Sequence, residues 1–340
     1  MILVLVETDN SGATLTSLET LTFARELAGR LGDETVEALV VGPLGAGEAS
    51  PTGAQTAQRV KERLSTQLAE HSVRSIHHAT GERLERYGAA AWATALGALP
   101  AEYLLAAGTP RGSEVLAHMA ARTGAMMAAN AVGIVGTEPL IVSRQVMGGA
   151  VFEHMRLDGS PQMITVAGHA VDPVAAEEPS EPPWHEFEPE LSDADLVTAV
   201  VRVETGAPDA TSTLTGARVV VGAGRGVGSA DGFDDLLELK EQLGAAMGAS
   251  RVVTSLGWRP HHEQIGQTGS RISPDVYLAC GISGAVQHWA GCQSAKMIVA
   301  INTDPDAPMV TQADYAIIGD LHQVVPALTA ELRRRESSGG

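Results

Sequence analysis

The feature that most constrains this chain is a regular alternation of short Val/Ile/Leu runs with stretches whose apolar residues recur at helical spacing. ILVLVE at 2–7 is followed by Leu18, Leu21, Ala24, Leu27, Ala28 and Leu31, the pattern of a strand and then an amphipathic helix. VEALVVG at 36–42 reads as a second strand, 54–70 as a polar helix, SVRSIHHA as a third strand and 88–99 as an Ala-rich helix. EYLLAAG at 102–108 is a further strand, with a Thr-Pro-Arg-Gly loop and a helix over 113–129 behind it. Parallel strands need long crossovers, usually helical, so this alternation predicts an α/β fold with a mostly parallel sheet flanked by helices.

From about 136 the pattern changes to PLIVSRQV, AVFEHMRL and PQMITVAGHAV, separated by Gly or Asp-Gly. These turn signals predict antiparallel strands that finish the first domain. Residues 172–195 hold nine acids, five prolines and no Lys or Arg, the composition of an extended, solvated connection. After a strand at LVTAVVRVE, the polar stretch Pro208–Thr215 marks the boundary, giving an N-terminal domain over 1–207 and a second over 208–340. Two domains suit 340 residues, since one core serves roughly 100–200.

Charge and cysteine content narrow the function classes. The formal net charge is −18, a field that disfavours nucleic acid and anionic membranes, whose phosphates need cationic neutralisation. A solvated surface, a docking patch and a saline habitat would each account for that acidity. The two cysteines, Cys280 and Cys292, form no CxxC, so neither a disulfide scaffold nor a thiolate zinc site is expected, and a reducing cytoplasm fits. No run approaches the roughly 18 apolar residues of a spanning helix, so membrane insertion is not expected.

The second domain opens with ARVVVGAGRGVGSADGFDDLLELKEQLGAAMG: a strand, a Gly-rich loop, and a helix with Phe233, Leu236, Leu237, Leu243 and Met247 facing inward. VYLACGIS, KMIVAIN and YAIIGDL repeat a buried strand ending in Gly, Ser, Asn or Asp, and ligands of open α/β sheets gather at such carboxyl ends. The loop Gly222-Ala-Gly224-Arg225-Gly226-Val-Gly228 misses GxGxxG and lacks the Lys-Ser/Thr of a P-loop. A structural turn and a phosphate loop both fit it, with Arg225 adding a fork for diphosphate oxygens. Arg251, after Ser250, begins an apolar strand and faces either solvent or a ligand. Gln264-Ile-Gly266-Gln267-Thr268-Gly269 offers neutral donors and acceptors for a polar ligand edge, or is simply a polar loop.

Gly281-Ile-Ser283-Gly284-Ala-Val-Gln287-His288 reads as a strand end and a helix start. Ser283 would cap the helix and His288 would donate a hydrogen bond, charged or neutral, to a ligand; a capping serine and a satisfied core histidine are the plainer alternative. GISGA is not GxSxG, so a hydrolase elbow is not supported. His77/His78 and His261/His262 form no ligand array, and neither a metal site nor a catalytic residue is expected.

Taken together, GAGRG, ASR, QIGQTG, YLACGISGAVQHWAG and VAIN with DYAIIGDL, in this order and spacing, resemble the C-terminal domain of electron-transfer flavoprotein alpha subunits. The resemblance spans about 216 to the C-terminus; the element order before it agrees with the family at lower specificity. It implies a Rossmann-like FAD-binding second domain, a heterodimer with a beta subunit, and an electron carrier that transforms no substrate itself. Electrons would arrive from acyl-CoA or related dehydrogenases and leave to a quinone reductase or another acceptor. By motif, the resemblance implies that Arg225, Ser250 and the Ser283–His288 loop line FAD, with Arg251 beside the ring, Thr268 near N5 and His288 near O2, and Asn302 and Asp320 toward the adenosine end. Positive charge from Arg251 and His288 would stabilise a reduced, anionic ring. Ser270, Thr303 and Ser255 depart from residues frequent in relatives, the first two from lysines, which implies a lower reduction potential. Competing expectations are an electron-bifurcating complex with a second FAD, an NAD- or thiamine-diphosphate-binding enzyme of related fold, and a non-redox interaction module.

Overall fold

The computed structural model describes residues 1–32, 34–44, 51–147, 151–200 and 214–338. The chain divides into two compact units, Met1–Val146 with Phe152–Glu204, and Met147–Val151 with Thr205–Gly340. The boundary expected over Pro208–Thr215 and the end of the expected strand LVTAVVRVE fall largely on 201–213, outside the described residues; the described beginning of that stretch, 196–200, is not a strand, because Leu196 ends the 3-10 helix Asp193–Leu196 and Val197 stays in the helical region.

In the first unit β1 (Ile2–Leu5) leads into a small hairpin, β2 (Thr8–Asp9) with β3 (Gly12–Ala13). Then follow β4 (Val36–Val41), β5 (Ile76–Ala79), β6 (Tyr103–Ala107), β7 (Met127–Thr137), β8 (Leu140–Val146), β9 (Val151–Arg156), β10 (Gln162–Val166) and β11 (Trp184–Phe187). Among the described residues they form a nine-stranded sheet in the order β11-β5-β4-β1-β6-β10-β7-β8-β9. Alternation of side chains along a strand assigns Ile2 and Val4 to one core layer and Leu3 and Leu5 to the other, which is why β1 is apolar without a break. Helix Leu15–Arg30 starts at Thr14, whose hydroxyl accepts from Ser17 N, and buries Leu21, Ala24 and Leu27 on one layer. The Ala-rich helix Ala89–Gly97 packs on the other.

Three expectations for this unit need correction. The helix predicted over 113–129 is Pro110–Thr123, ended by Gly124 at φ 68°; Met127 begins an eleven-residue strand. The left-handed glycine closes the helix, and the apolar run behind it pairs with β10 and β8 instead. The strand in PQMITV is not antiparallel: β10 lies between β6 and β7, parallel to both. The acidic segment 172–195 is more than a connection, because β11 adds a parallel edge strand to β5. Trp184 anchors it, donating to Ser65 Oγ at 2.9 Å beneath the Lys61 ammonium. Further along, Asp195 is buried and accepts from Thr94, Arg122 and Ser192.

The second unit contains β12 (Val219–Ala223), β13 (Ala246–Ala249), β14 (Val276–Cys280), β15 (Ile298–Asn302) and β16 (Tyr315–Ile318). They form a fully parallel sheet in the order β13-β12-β14-β15-β16. In units of chain order that is 2-1-3-4-5, a doubly wound arrangement whose strand order reverses between β12 and β14, where ligands of such sheets bind. Phe233, Leu236, Leu243 and Met247 share one core, but Met247 reaches it from a strand. The helix Asp234–Gln242 is followed by Gly244 at φ 57°, so GAAMG cannot continue it. RVVTS, expected as a strand, is the short helix Arg251–Ser255.

Candidate functional site

At the carboxyl ends of β12 and β14, within the second unit, lies a cleft of about 820 Å³, inside the roughly 300–1,000 Å³ range of small-molecule and cofactor sites. Arg225, Ser250, Arg251, Gln264, Gln267, Thr268, Ser283, Gly284, Gln287, His288 and Asn302 all line it. Of the residues expected to hold the cofactor only Asp320 stands outside the lining. Its carboxylate accepts from His322 N at 3.0 Å and its carbonyl from Gln323 and Val324 at the start of helix Leu321–Ser338. Ser255 belongs to the lining; Ser270 and Thr303 do not.

The glycine-rich loop after β12 does less for a ligand than its sequence suggests. Gly224 N donates to Cys280 O at 2.9 Å and Gly226 N to Gly281 O at 3.0 Å, while Val227 and Gly228 N–H groups turn back on the loop itself. Those amides are therefore committed to the protein rather than to a phosphate, and the loop presents the exposed Arg225 side chain instead. A Cβ on Gly224 would stand 2.1 Å from Gly281 O, so the glycine serves a backbone-to-backbone contact. Gly222 has yet another cause. It lies inside β12, and a Cβ there would meet Tyr277 Oη at 2.2 Å, so its missing side chain makes room for a tyrosine ring.

The loop after β14 carries the accessible backbone donors. Among the described residues the N–H groups of Ser283, Gly284 and Ala285 have no partner in the chain, and all three residues line the cleft. Successive free amides of this kind suit an anion or a carbonyl oxygen. Ser283 does not cap the following helix, whose N-cap is Ala285 without a side-chain bond. Asn302 fixes the loop from below: its Nδ2 donates to Ile282 O at 2.9 Å, and its Oδ1 accepts from Asp304 N at 3.1 Å.

His288 is 7% exposed, and its Nε2 lies 2.9 Å from Tyr277 Oη. Burial lowers its pKa to about 4, the Ile265 backbone offsetting only part of that; no group stands in hydrogen-bonding geometry to Nδ1. The side chain is therefore neutral at pH 7, which corrects the expectation that it adds positive charge. That charge comes from Arg225 and Arg251, both exposed and without an ion pair among the described residues. Tyr277, fully buried with its pKa pushed well above the usual phenol by burial, was not anticipated. A tyrosine inside the apolar run VYLAC, together with a glycine inside the apolar strand VVVGA, was the signal for it.

On the side of β13, Ile265 N donates to Ala249 O at 2.9 Å and Gln267 N to Gln287 O at 2.7 Å, so the Gln264–Thr268 loop is pinned to both neighbours. Its buried Gln264 bonds Thr254 and Thr268. Val252 and Leu256 form an apolar wall. Among the described residues Asp304 is the one acid of the lining, so two guanidinium groups and a single carboxylate border the cleft in a chain of net charge −18.

Residues 213–293 match the family model described as electron transfer flavoprotein FAD-binding domain, and residues 2–192 that described as electron transfer flavoprotein domain. Electron transfer flavoprotein subunit alpha of Mycobacterium leprae is 37% identical over 340 residues, with 98% of each chain covered. The subunit of the same name from Bacillus subtilis is 34% identical over 312 residues, 90% of this chain and 94% of the relative. Protein FixB of Clostridium saccharobutylicum is 33% identical over 274 residues, 78% and 81% respectively.

Proposed function

The chain belongs to the electron-transfer flavoprotein alpha subunits, and on that premise we propose that it holds one FAD in the cleft of its second unit. It works as a heterodimer with a beta subunit, in the cytoplasm. There it relays electrons from flavin dehydrogenases, such as acyl-CoA dehydrogenases, to a quinone reductase or another acceptor. The observation that carries this reading is the donor set of the cleft. Arg225 and Arg251 supply two guanidinium groups, Ser283–Ala285 three free backbone amides, and Gln264, Gln267, Gln287 and Thr268 neutral polar groups. A diphosphate needs the first two kinds, and a ring with a polar edge the last. The residues therefore fit the group.

Bound FAD supplies reversible acceptance and release of electrons. The chain supplies position and potential. Arg225 can fork onto diphosphate oxygens. Arg251 places a fixed positive charge on the cleft and so favours the more negative, reduced form of what is bound. His288 contributes shape and hydrogen bonding, and in the flavin-free chain it carries no charge at pH 7. Val252 and Leu256 give one side of the cleft an apolar surface.

The direct test is co-expression with the beta partner and an absorption spectrum before and after adding an acyl-CoA with its dehydrogenase. A yellow heterodimer that bleaches is expected. A colourless one would end the flavin reading, and a yellow one that stays oxidised would remove this donor class. Two flavins per heterodimer would mark the bifurcating alternative.

A further inference from the structure

Two buried polar side chains, Thr254 behind the cleft lining and Gln264 within it, are linked to a third that is exposed on the cleft. Thr254 is 4% exposed and Gln264 6%. The Thr254 hydroxyl has two acceptors within reach, Gln264 Oε1 at 2.8 Å and the Arg251 carbonyl at 3.1 Å. It has one hydrogen to give, and the shorter contact sits at the preferred O–H···O distance. Donation to Oε1 orients the Gln264 amide, so that Nε2 donates to Thr268 Oγ1 at 3.0 Å. Thr268 thus receives a hydrogen bond from the protein side. Its own hydrogen has no acceptor among the described residues, and the residue is exposed on the cleft.

We infer that Thr254 and Gln264 are positioning residues: their two-bond relay leaves the Thr268 hydrogen free to be donated into the cleft, so the hydroxyl favours an acceptor atom of the ligand opposite it. The inference rests on the flavin reading and deepens it. A flavin ring edge carries carbonyl oxygens and ring nitrogens that accept, and N–H groups that donate. The relay selects the first kind at Thr268 and discriminates against a protonated nitrogen there. With the amide turned over, Gln264 Oε1 would take the Thr268 hydrogen, and Thr268 could then only accept from the ligand.

An isosteric change separates these arrangements. Gln264→Glu, ionised at pH 8, accepts from both hydroxyls and draws the Thr268 hydrogen away from the cleft. Gln264→Met removes the relay but leaves the Thr268 hydroxyl free to rotate and donate. The heterodimer is loaded with FAD labelled with 15N and 13C in its ring and read by NMR, with flavin content measured alongside. Thr268→Val is expected to shift one ring acceptor resonance in the direction of a lost hydrogen bond. Gln264→Glu should shift the same resonance the same way, Gln264→Met clearly less, and Thr268→Val with Gln264→Glu no further than Thr268→Val alone. A packing role would predict the reverse order, because Glu keeps the shape of Gln and Met does not. Full flavin content with that resonance unmoved in Gln264→Glu, or with none moved in Thr268→Val, overturns the inference alone. A heterodimer that retains no FAD overturns the flavin reading and the inference with it.

Discussion

Acid should destabilise the second unit through one histidine. His288 is 7% exposed, and burial moves its pKa from 6.5 to about 4. Since the folded value lies below the unfolded one, the unfolded chain binds more protons between them. The stability is fully present above about pH 6.5, falls as pH drops, and is lost below about pH 4. A gap of about 2.5 units at about 1.4 kcal/mol per unit gives roughly 3 kcal/mol, of which about 2 kcal/mol disappears by pH 5. The assay is urea unfolding of the flavin-free chain at pH 7.5 and 5.0, read by amide-exchange protection of β14 peptides so that the second unit is followed by itself. His288→Gln, which cannot titrate, is the reference that cancels the other ionising groups. The wild type should lose about 2 kcal/mol more than the variant over that interval. Equal losses in the two proteins, or an NMR titration of His288 with an ordinary midpoint, would refute the reasoning.

Other perturbations follow from geometry. Gly222→Ala places a Cβ 2.2 Å from Tyr277 Oη and should cost about 1–3 kcal/mol by overpacking; an unchanged urea midpoint would contradict the packing. Gly284→Val combines a φ of +79° with a Cβ 2.3 Å from Met309 N, so the 281–285 loop must move and the purified heterodimer should carry less than stoichiometric FAD. Arg251→Ala should lower the potential of bound flavin, and potentiometry that finds no change would mean the side chain points away from the ring. Asp195→Ala leaves Arg122 and Thr94 without their carboxylate and should cost about 2 kcal/mol in the first unit. Burial opposes ionisation of Asp195, but the bonds from Ser192, Thr94 and Arg122 outweigh it and bring the pKa from 3.8 to about 2. The contribution is therefore present above about pH 3.8 and lost as pH falls through about 2, an acid-limb difference that the alanine variant should lack.

The alternation of strands and helices was legible because β1, β6, β14 and β15 are buried on both faces and apolar without interruption. Arg225, Ser250, Ser283 and Asn302 were legible because they sit at or just after the carboxyl ends of β12, β13, β14 and β15. What failed was local and has physical causes. Met127–Thr137 and Ala246–Ala249 are rich in Ala and Met, residues with good helix propensity, and sheet pairing overrode it. Arg251 looked out of place in a strand because RVVTS is a helix. Gly222 and Gly224 read as phosphate glycines, yet their space is taken by Tyr277 and by Gly281, contacts between segments more than fifty residues apart that no local pattern encodes. His288 was expected with the option of a charge; its burial against Tyr277 depends on the same long-range packing.

The late strand β11 has a consequence for how the protein is made. Residues 76–79 pair on one side with β4, already synthesised, but on the other with Trp184–Phe187, about a hundred residues later in the chain. At translation speeds of about 5–20 residues per second, that edge waits roughly 5–20 s on the ribosome with its backbone groups unpaired. The acids and prolines around β11 are poor material for adding strands from other nascent chains, whereas the aromatic WHEF at its centre is good material for its own sheet. The segment acts as a delayed cover, and release of its last residues from the ribosome sets the time at which the first unit can close.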